Sequence, residues 1–186
     1  MKDLSLHLMD IAQNSIAAGA NLINVSLICK DEVLIFKLSD NGKGMEEEML
    51  NDVTDPFTTS RTTRKVGMGI PLLKQSAEMS GGMLKIQSIK GKGTTVQASF
   101  VVDNIDRIPI GSIDKTLSTL IMATPEIDYE VCFQSDKAIY EINTVDIKKY
   151  LSDVPINNVE VISWIAVNIR EGIKEVFGGV LNEVPS

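Results

Sequence analysis

The sequence predicts an α/β protein, in which amphipathic helices are interspersed with short β-rich segments. Near both ends of the chain, apolar residues recur every three or four positions, as they do on one face of a helix. Between these regions, segments rich in β-branched residues are separated by glycines or by charged pairs, as strands are separated by turns. No internal repeat or low-complexity segment interrupts this pattern.

Length and composition limit the possible classes of protein. The 186 residues are 44% hydrophobic, which suffices for one large domain, or for one medium domain and a small one. No apolar run is long enough to cross a bilayer, and charged residues interrupt the first residues where a signal peptide would be apolar. Cys29 and Cys132 lack metal-binding spacing and fit a reducing, cytoplasmic location.

The charge is unevenly distributed along the chain. Residues 1–100 contain 11 basic and 11 acidic residues, whereas residues 101–186 contain 7 and 14, so the second part holds the whole net charge of −7. An acidic surface disfavours nucleic acid and anionic membranes as partners. The shift in composition predicts two domains, residues 1–103 and an acidic α/β region of unknown role at residues 104–186.

The first part is predicted to contain two long helices and four strands. A helix over residues 3–18 ends at Gly19. Strands over residues 21–29 and 32–39 follow as antiparallel neighbours, and then come a short acidic helix at 46–51 and a polar loop at 52–66. A second long helix spans 68–80, where Pro71 is tolerated only in the first turn. Strands at 83–90 and 94–102 form a hairpin.

The second part is predicted to contain three helices and a hairpin. A helix spans residues 114–124, and alternation predicts a half-buried strand at 127–133 that pairs with residues 138–143. A short helix over 144–151 is expected to be capped by Thr144. The last helix, 158–177, has one continuous apolar face that must be buried against another surface.

Asp40 and the two glycines after it form the most informative short pattern. A carboxylate at a strand end beside Gly42 and Gly44 offers a fixed acceptor next to a surface without side chains. A flat heterocycle with an exocyclic amine fits such a place. Alone, however, Asp-Asn-Gly is more often an ordinary turn.

Three polar residues share one stripe of the first helix. His7, Asp10 and Asn14 are spaced three and four apart, which places them on one side of a helix. The Asn14 amide oxygen could complete the ligand shell of Mg²⁺, and Asp10 could orient or deprotonate a water. Alone, the stripe is more often the solvated face of an amphipathic helix. His7 is expected behind the binding residues or on the surface, and not as a phosphate acceptor.

The remaining candidates surround a helix start and a hairpin turn. Gly67 and Gly69 open a helix, where bare N–H groups suit phosphate. Arg64 in the preceding loop could add a phosphate contact, although loop charges are usually only solvated. The Thr94 hydroxyl could share a water with Asp40 and the base, although a simple hairpin accounts for Thr94 equally well.

Taken together and in order, these segments resemble the GHKL ATPases, which include gyrase, the ninety-kilodalton chaperones, histidine kinases and mismatch-repair ATPases. Residues 10–20 are similar to the asparagine box of that family, and residues 40–45 are similar to its first glycine box. Residues 55–59 and 67–74 resemble a histidine kinase's phenylalanine box and second glycine box, and residues 91–100 resemble the third. The resemblance covers residues 3–101.

The resemblance implies a fold, a ligand and a set of binding residues. The fold is a two-layer α/β sandwich with helices on one face of a mixed sheet, here with a small C-terminal extension. Asn14 would coordinate Mg²⁺, and Asp40 would bind the adenine amine. Residues 53–66 would be the lid over ATP. The other expected ATP-binding residues surround the base or contact phosphate: Gly42, Gly44, Met45, Thr94, Arg64, Gly67 and Gly69.

Two departures from the family pattern affect the expected activity. Hydrolytic members have glutamate where this chain has Asp10, which is one methylene shorter, so slow hydrolysis is expected. Lys65 replaces the usual extra glycine before Gly67, so a stiffer lid hinge is expected.

Two functions remain open at this stage. The first is a slow ATPase, or a protein kinase acting in trans, in bacterial regulation. The alternative is a non-catalytic switch that binds ATP and is recognised by a partner protein. Either function predicts ATP and Mg²⁺ as ligands and a protein partner or a homodimer, without nucleic acid or membrane.

Overall fold

The computed structural model describes residues 1–46 and 69–184. Within these residues the chain forms five helices and six strands. The helices are α1 (Leu4–Ala17), α2 (Gly69–Met79), α3 (Ile113–Ala123), α4 (Thr144–Leu151) and α5 (Val159–Phe177). The strands are β1 (Leu22–Lys30), β2 (Val33–Asp40), β3 (Leu84–Ile89), β4 (Gly93–Val101), β5 (Asp128–Gln134) and β6 (Ile139–Asn143).

All six strands belong to one mixed sheet, in the order β3-β4-β2-β1-β5-β6. Neighbouring strands are antiparallel except β1 and β5, which are parallel. Because this parallel pair lies inside the sheet, the C-terminal hairpin extends the sheet formed by the first part of the chain. The division into domains at residue 103 stays a prediction.

The two faces of the sheet differ in polarity. Alternate residues of β1, β2, β4 and β5 are buried, for example Leu34, Phe36 and Leu38 in β2. These residues share one hydrophobic core with residues of α1, α2, α3 and α5. The other face presents polar side chains such as Lys37 and Gln97, which are ladder partners. The protein is therefore a two-layer α/β sandwich, as predicted.

The ends of α1 are fixed by Asp3 and by Gly19, and the sequence predicted the second of these. The Asp3 carboxylate accepts a hydrogen bond from the Leu6 amide at 3.0 Å, which satisfies a free N–H of the first turn. After the helix, Gly19 has φ +77°, a left-handed conformation that stops it. The side chains of α1 are thereby held in a fixed register over the sheet.

The predicted elements of the described residues are present, with small shifts at their ends, and one cap was wrong. The cap of α4 is Asn143, whose side-chain oxygen accepts from the Val145 amide at 2.8 Å. Thr144 instead accepts from the Tyr129 amide at 2.8 Å and so ties the start of the helix to β5. Residues 47–51 of the predicted acidic helix and the loop 52–66 lie outside the described residues.

Gly172 lies where α5 approaches β6 most closely. A Cβ there would lie 2.4 Å from ring carbons of Tyr140, which stacks on Phe133 with ring centroids 5.6 Å apart. The Tyr140 hydroxyl also donates to Asn168 of α5 at 2.7 Å, so the ring is held on two sides. The helix therefore needs glycine at this position for space.

Replacing Gly172 with alanine should lower the free energy of unfolding by about 1–3 kcal/mol, because overpacking outweighs the better helix propensity of alanine. Urea denaturation measures the change. In the Tyr140→Ala variant the ring is absent, so alanine at position 172 meets no clash. The double variant Gly172→Ala/Tyr140→Ala should therefore have a higher free energy of unfolding than Tyr140→Ala alone. A loss of equal size in both backgrounds would contradict the clash.

Candidate functional site

The candidate site lies where β2 and β4 meet at one end of the sheet, beside α1 and the start of α2. Asp40 ends β2 and is the ladder partner of Thr94 in β4. Both side chains follow the buried alternation of their strands, so they lie on the face that the helices cover. The topology therefore brings the predicted strand residues to the helix with the polar stripe.

The Asp40 carboxylate is held from two sides. Its Oδ2 accepts a hydrogen bond from Ser15 Oγ of α1 at 2.7 Å, and its Oδ1 accepts from the Gly42 amide at 2.8 Å. A carboxylate accepts about four hydrogen bonds, so each oxygen retains acceptor capacity. The side chain is partly exposed and oriented, as an acceptor for an external donor should be.

The glycine loop after Asp40 is held from two sides through the backbone of Lys43. The Lys43 amide donates to the Ala18 carbonyl at 3.0 Å, and the Lys43 carbonyl accepts from the Gly91 amide at 2.7 Å. Gly44 has φ +63°, and a Cβ there would lie 2.1 Å from the carbonyl oxygen of Ile89. Only glycine meets both requirements at Gly44.

Ser88 joins the first glycine loop to the β3–β4 hairpin. Its Oγ accepts from the Met45 amide at 2.8 Å and is within 2.8 Å of the Thr94 hydroxyl. Met45 packs partly buried against the core. Thr94 therefore lies next to Asp40, but its hydroxyl is bound to Ser88. The water that Thr94 was predicted to share with Asp40 stays a prediction.

His7 connects the polar stripe of α1 to the first residue of α2. Its ring is fully buried, and Nδ1–H donates to the Gly69 carbonyl at 3.2 Å. Because a carbonyl only accepts, the neutral ring has its proton on Nδ1 and a lone pair on Nε2. His7 is thus not a surface residue; it is a buried member of the stripe and supports the start of α2.

The same stripe contains three buried polar atoms that have no hydrogen-bond partner among residues 1–46 and 69–184: His7 Nε2, Asp10 Oδ2 and Asn14 Nδ2. The first two are acceptors, so they cannot satisfy each other. Buried polar groups usually have partners, and each exception needs an explanation. A bound polar ligand, an ion or ordered water on this stripe would supply the missing partners.

Asp10 lies directly against the start of α2. A Cβ on Gly69 would be 2.0 Å from Asp10 Oδ2. The absence of a side chain at Gly69 therefore lets the carboxylate approach the helix terminus, a place where the first N–H groups have no partner within the helix and suit an anion. Gly69 gives Asp10 space, and the predicted contact of Gly69 with phosphate stays a prediction.

The structure thus brings together most of the predicted site residues. Asp10, Asn14 and Gly69 lie on one side, and the first glycine loop with Asp40 and Thr94 lies on the other; Ser15 connects the two sides through Asp40. Arg64 and Gly67 lie outside the described residues.

Sequence reasoning missed the roles of Ser15 and Ser88. Both interrupt an apolar pattern: Ser15 is four residues after Ile11 on the buried side of α1, and Ser88 continues the alternation of Leu84 and Ile86. A small polar residue at a position that should be apolar was the available signal, since a buried hydroxyl needs a partner.

Burial lowers the pKa of His7 below its ordinary value of 6.5, because an apolar environment disfavours the charged ring. The folded protein therefore binds this proton less readily than the unfolded chain does. The contribution of His7 to stability is complete above pH 6.5. As the pH falls below 6.5, this contribution is lost, and the free energy of unfolding decreases by at most about 1.4 kcal/mol per pH unit.

We expect the free energy of unfolding in urea to fall from pH 7 to pH 5, and the variant His7→Asn to flatten this fall. Asparagine has an N–H near the position of Nδ1 and does not titrate, so the bond to Gly69 can be retained. His7 is the only histidine of the chain, so no other imidazole titrates between pH 7 and pH 5. An equal slope in both proteins would contradict the assignment.

Residues 2–104 match the family of histidine kinase-, DNA gyrase B- and HSP90-like ATPases. The chain belongs to this family. The match includes both sides of the site, from α1 to the third glycine box, so the predicted resemblance to the GHKL ATPases is confirmed.

Similar proteins of the histidine-kinase-like ATPase family include sensor kinases. Sporulation kinase D of Bacillus subtilis is 34% identical over 98 residues, which are 51% of this chain and 19% of that protein. The autoinducer 2 sensor kinase/phosphatase LuxQ of Vibrio parahaemolyticus is 31% identical over 83 residues, 42% of this chain and 10% of LuxQ. The chain therefore spans a fifth or less of the length of these relatives.

Solved structures similar to this chain include the N-terminal domain of a DNA repair protein, with 18% identity and a TM-score of 0.48 over 77% of this chain and 52% of that one. The MutL ATPase domain of Aquifex aeolicus, complexed with ADP, has 13% identity and a TM-score of 0.47, and the match covers 72% of this chain and 60% of that one.

In the part of this chain that the structure describes, no helix is both long and apolar enough to span a membrane.

Proposed function

We propose that this protein binds Mg-ATP in the cleft between α1 and the first glycine loop and acts as a slow ATPase, or as a protein kinase in trans, in bacterial regulation. One observation carries the proposal. Asp10 and Asn14 lie on the helix that also positions Asp40 through Ser15, and each has a buried polar atom without a partner in the described part of the chain. A ligand with a hydrogen-bond donor at one end and an ion-bound anion at the other would supply partners both to Asp40 and to the residues of the α1 stripe.

The adenine end is assigned to Asp40 and the first glycine loop. Asp40 is fixed by Ser15 and the Gly42 amide and retains acceptor capacity for an exocyclic amine. Gly42 and Gly44 are proposed to present only backbone to the ring, since Ala18 and the Ile89 carbonyl occupy the space that their side chains would need. Met45 and Thr94 complete this end through their shared partner Ser88.

The metal end is assigned to Asn14. A rotation of its amide by half a turn exchanges nitrogen and oxygen, so this buried position, which has no partner within the described residues, also fits an oxygen ligand, the type that Mg²⁺ prefers. When bound, the ion would neutralise charge on the phosphates. Gly69, at the start of α2, and Arg64 and Gly67, which precede it in the sequence, are proposed to contact phosphate.

Asp10 is proposed to orient or deprotonate the attacking water or the acceptor hydroxyl. Its Oδ2 is buried and has no partner among the residues that the structure describes, so we propose that it accepts the proton. The shorter side chain places the carboxylate about 1 Å from where glutamate would place it, and such a misplacement can cost about a hundredfold in rate. We therefore propose slow turnover.

A specific set of contacts supports the alternative, a non-catalytic switch read by a partner protein or a second copy. The start of α1 is bonded to the C-terminal region: the Leu4 amide donates to the Pro109 carbonyl at 2.9 Å, and the Ser5 amide donates to that of Ile110 at 3.0 Å. Thr116 of α3 also donates to the Ser5 carbonyl at 3.4 Å. A movement of α1 would therefore be transmitted to the C-terminal region through these hydrogen bonds.

We also propose that the protein works in the cytoplasm. Cys29 and Cys132 are both free cysteines, as expected in a reducing compartment.

The deciding experiment is calorimetric titration with ATP and Mg²⁺, followed by incubation with ATP labelled on the γ-phosphate. Binding and label released as phosphate support an ATPase, and label on an added protein supports a kinase. Binding without transfer supports the switch. If neither ATP nor ADP binds at millimolar concentration, the proposed function is wrong.

A further inference from the structure

A second concave surface lies far from the site, between α4 and α5. This groove has a volume of about 480 Å³ and is lined by Ile147, Tyr150, Leu151, Glu160, Val161 and Trp164. Apart from Glu160, its lining is built from apolar and aromatic side chains. The groove is formed by the two helices next to the β5–β6 edge of the sheet, whereas α2 packs against β3 and β4 at the other end.

The aromatic side chains of the groove are unusually exposed. Tyr150 is 89% exposed and Trp164 is 54% exposed, and Val154 and Val167 beside them are each 46% exposed. Scattered exposed apolar residues are normal on a protein surface, but a cluster around a groove marks an interaction site. Tyrosine and tryptophan are also the residues that contribute most often to binding energy at interfaces.

The groove has an acidic rim at Glu160, which is the one charged residue among those that line it in the described part of the chain. The two lysines of α4 are already neutralised, Lys148 by Asp128 at 2.7 Å and Lys149 by Asp146 at 2.8 Å. Glu160 lines the groove and forms no ion pair within residues 1–46 and 69–184. Residues 101–186 as a whole hold the net charge of −7.

We propose that this groove is the docking site for a basic amphipathic helix of a partner protein. The apolar side of that helix would pack on Tyr150 and Trp164, and its lysines or arginines would face Glu160. A second copy of this chain fits less well, because it would bring the same negative rim against this one. An anionic membrane is disfavoured for the same reason.

The test uses two designed peptides of about 16 residues, long enough to form a helix. Both have leucines at helical spacing and fluorescein at one end; one has lysines on its polar side, and the other has glutamates. Trp164 is the only tryptophan of the chain, so its emission reports on the groove itself. Binding of the lysine peptide should shift Trp164 emission to the blue and raise the anisotropy of the fluorescein.

Two variants change the groove and two matched variants change the surface elsewhere. Tyr150→Ala and Glu160→Lys should each weaken binding of the lysine peptide at least about tenfold, by loss of an aromatic anchor and by reversal of charge. Ile105→Ala removes an apolar side chain that is 97% exposed, and Glu78→Lys reverses a charge on α2. Neither should change binding more than about twofold.

Three outcomes would overturn the proposal. The first is that neither peptide binds at 100 μM. The second is equal binding of both peptides, since the acidic rim would then not select the partner. The third is a dimer in analytical ultracentrifugation that Trp164→Ala converts to a monomer, which would make a second copy the occupant. None of these results depends on ATP, so the proposed function stands or fails separately.

Discussion

Replacing Asp40 with asparagine should lower the affinity for ATP by about ten- to a hundredfold. A hydrogen bond to a charged group contributes about 1.5–3 kcal/mol, and a lost partner leaves a buried donor unsatisfied. Asparagine has one oxygen, which the Gly42 amide occupies, and an amide nitrogen that can donate to Ser15 Oγ. The loop would thus keep its shape while the anionic acceptor for adenine is lost.

Calorimetric titration with ATP and Mg²⁺ measures the effect, and thermal unfolding checks that the fold is retained. Asp103→Asn is the matched control, because Asp103 is exposed just beyond the other end of β4 and should not change the affinity. Ser15→Ala should give a smaller loss of about fivefold, since it removes one neutral donor that orients Asp40. Unchanged affinity in Asp40→Asn would refute the assignment of the adenine end.

The elements of the fold were predictable because their signals are local. The alternation of β2 and the three- and four-residue spacing of α1 each lie within one segment, and Gly19 marks the end of α1 by a backbone conformation that few other residues adopt. The stripe of His7, Asp10 and Asn14 was predicted for the same reason, since helix geometry alone places these side chains on one side.

The position of β5 was not predictable from the same signals. Its alternation shows only that one face is buried, and its pairing with β6 follows from a short connection. Its parallel pairing with β1 joins residues about a hundred positions apart, such as Val25 and Val131, and no local pattern encodes that choice. The extended sheet therefore became visible only in the structure.

The exchange of Thr144 for Asn143 at the cap of α4 has a comparable cause. Both residues are good caps in isolation. The Thr144 hydroxyl accepts a hydrogen bond from the Tyr129 amide of β5 at 2.8 Å. The preceding residue, Asn143, therefore caps the helix instead. A tertiary contact therefore decided between two residues that are equally good caps locally. The bond from Ser15 to Asp40 is likewise a tertiary contact that the local sequence does not encode.

Under the proposed enzymatic function, replacing Asp10 with asparagine should lower the turnover of ATP by about a hundredfold or more, because general acid–base catalysis contributes about 10²–10⁴ in rate. Asparagine has nearly the same shape as aspartate, so it fits beside Gly69 as Asp10 does. Affinity for ATP should change less than about threefold, because Asp40 and Asn14 are untouched. Asp103→Asn again serves as the control. If the variant keeps full turnover, another residue supplies the base; if neither protein turns ATP over but both bind it, the site belongs to a switch.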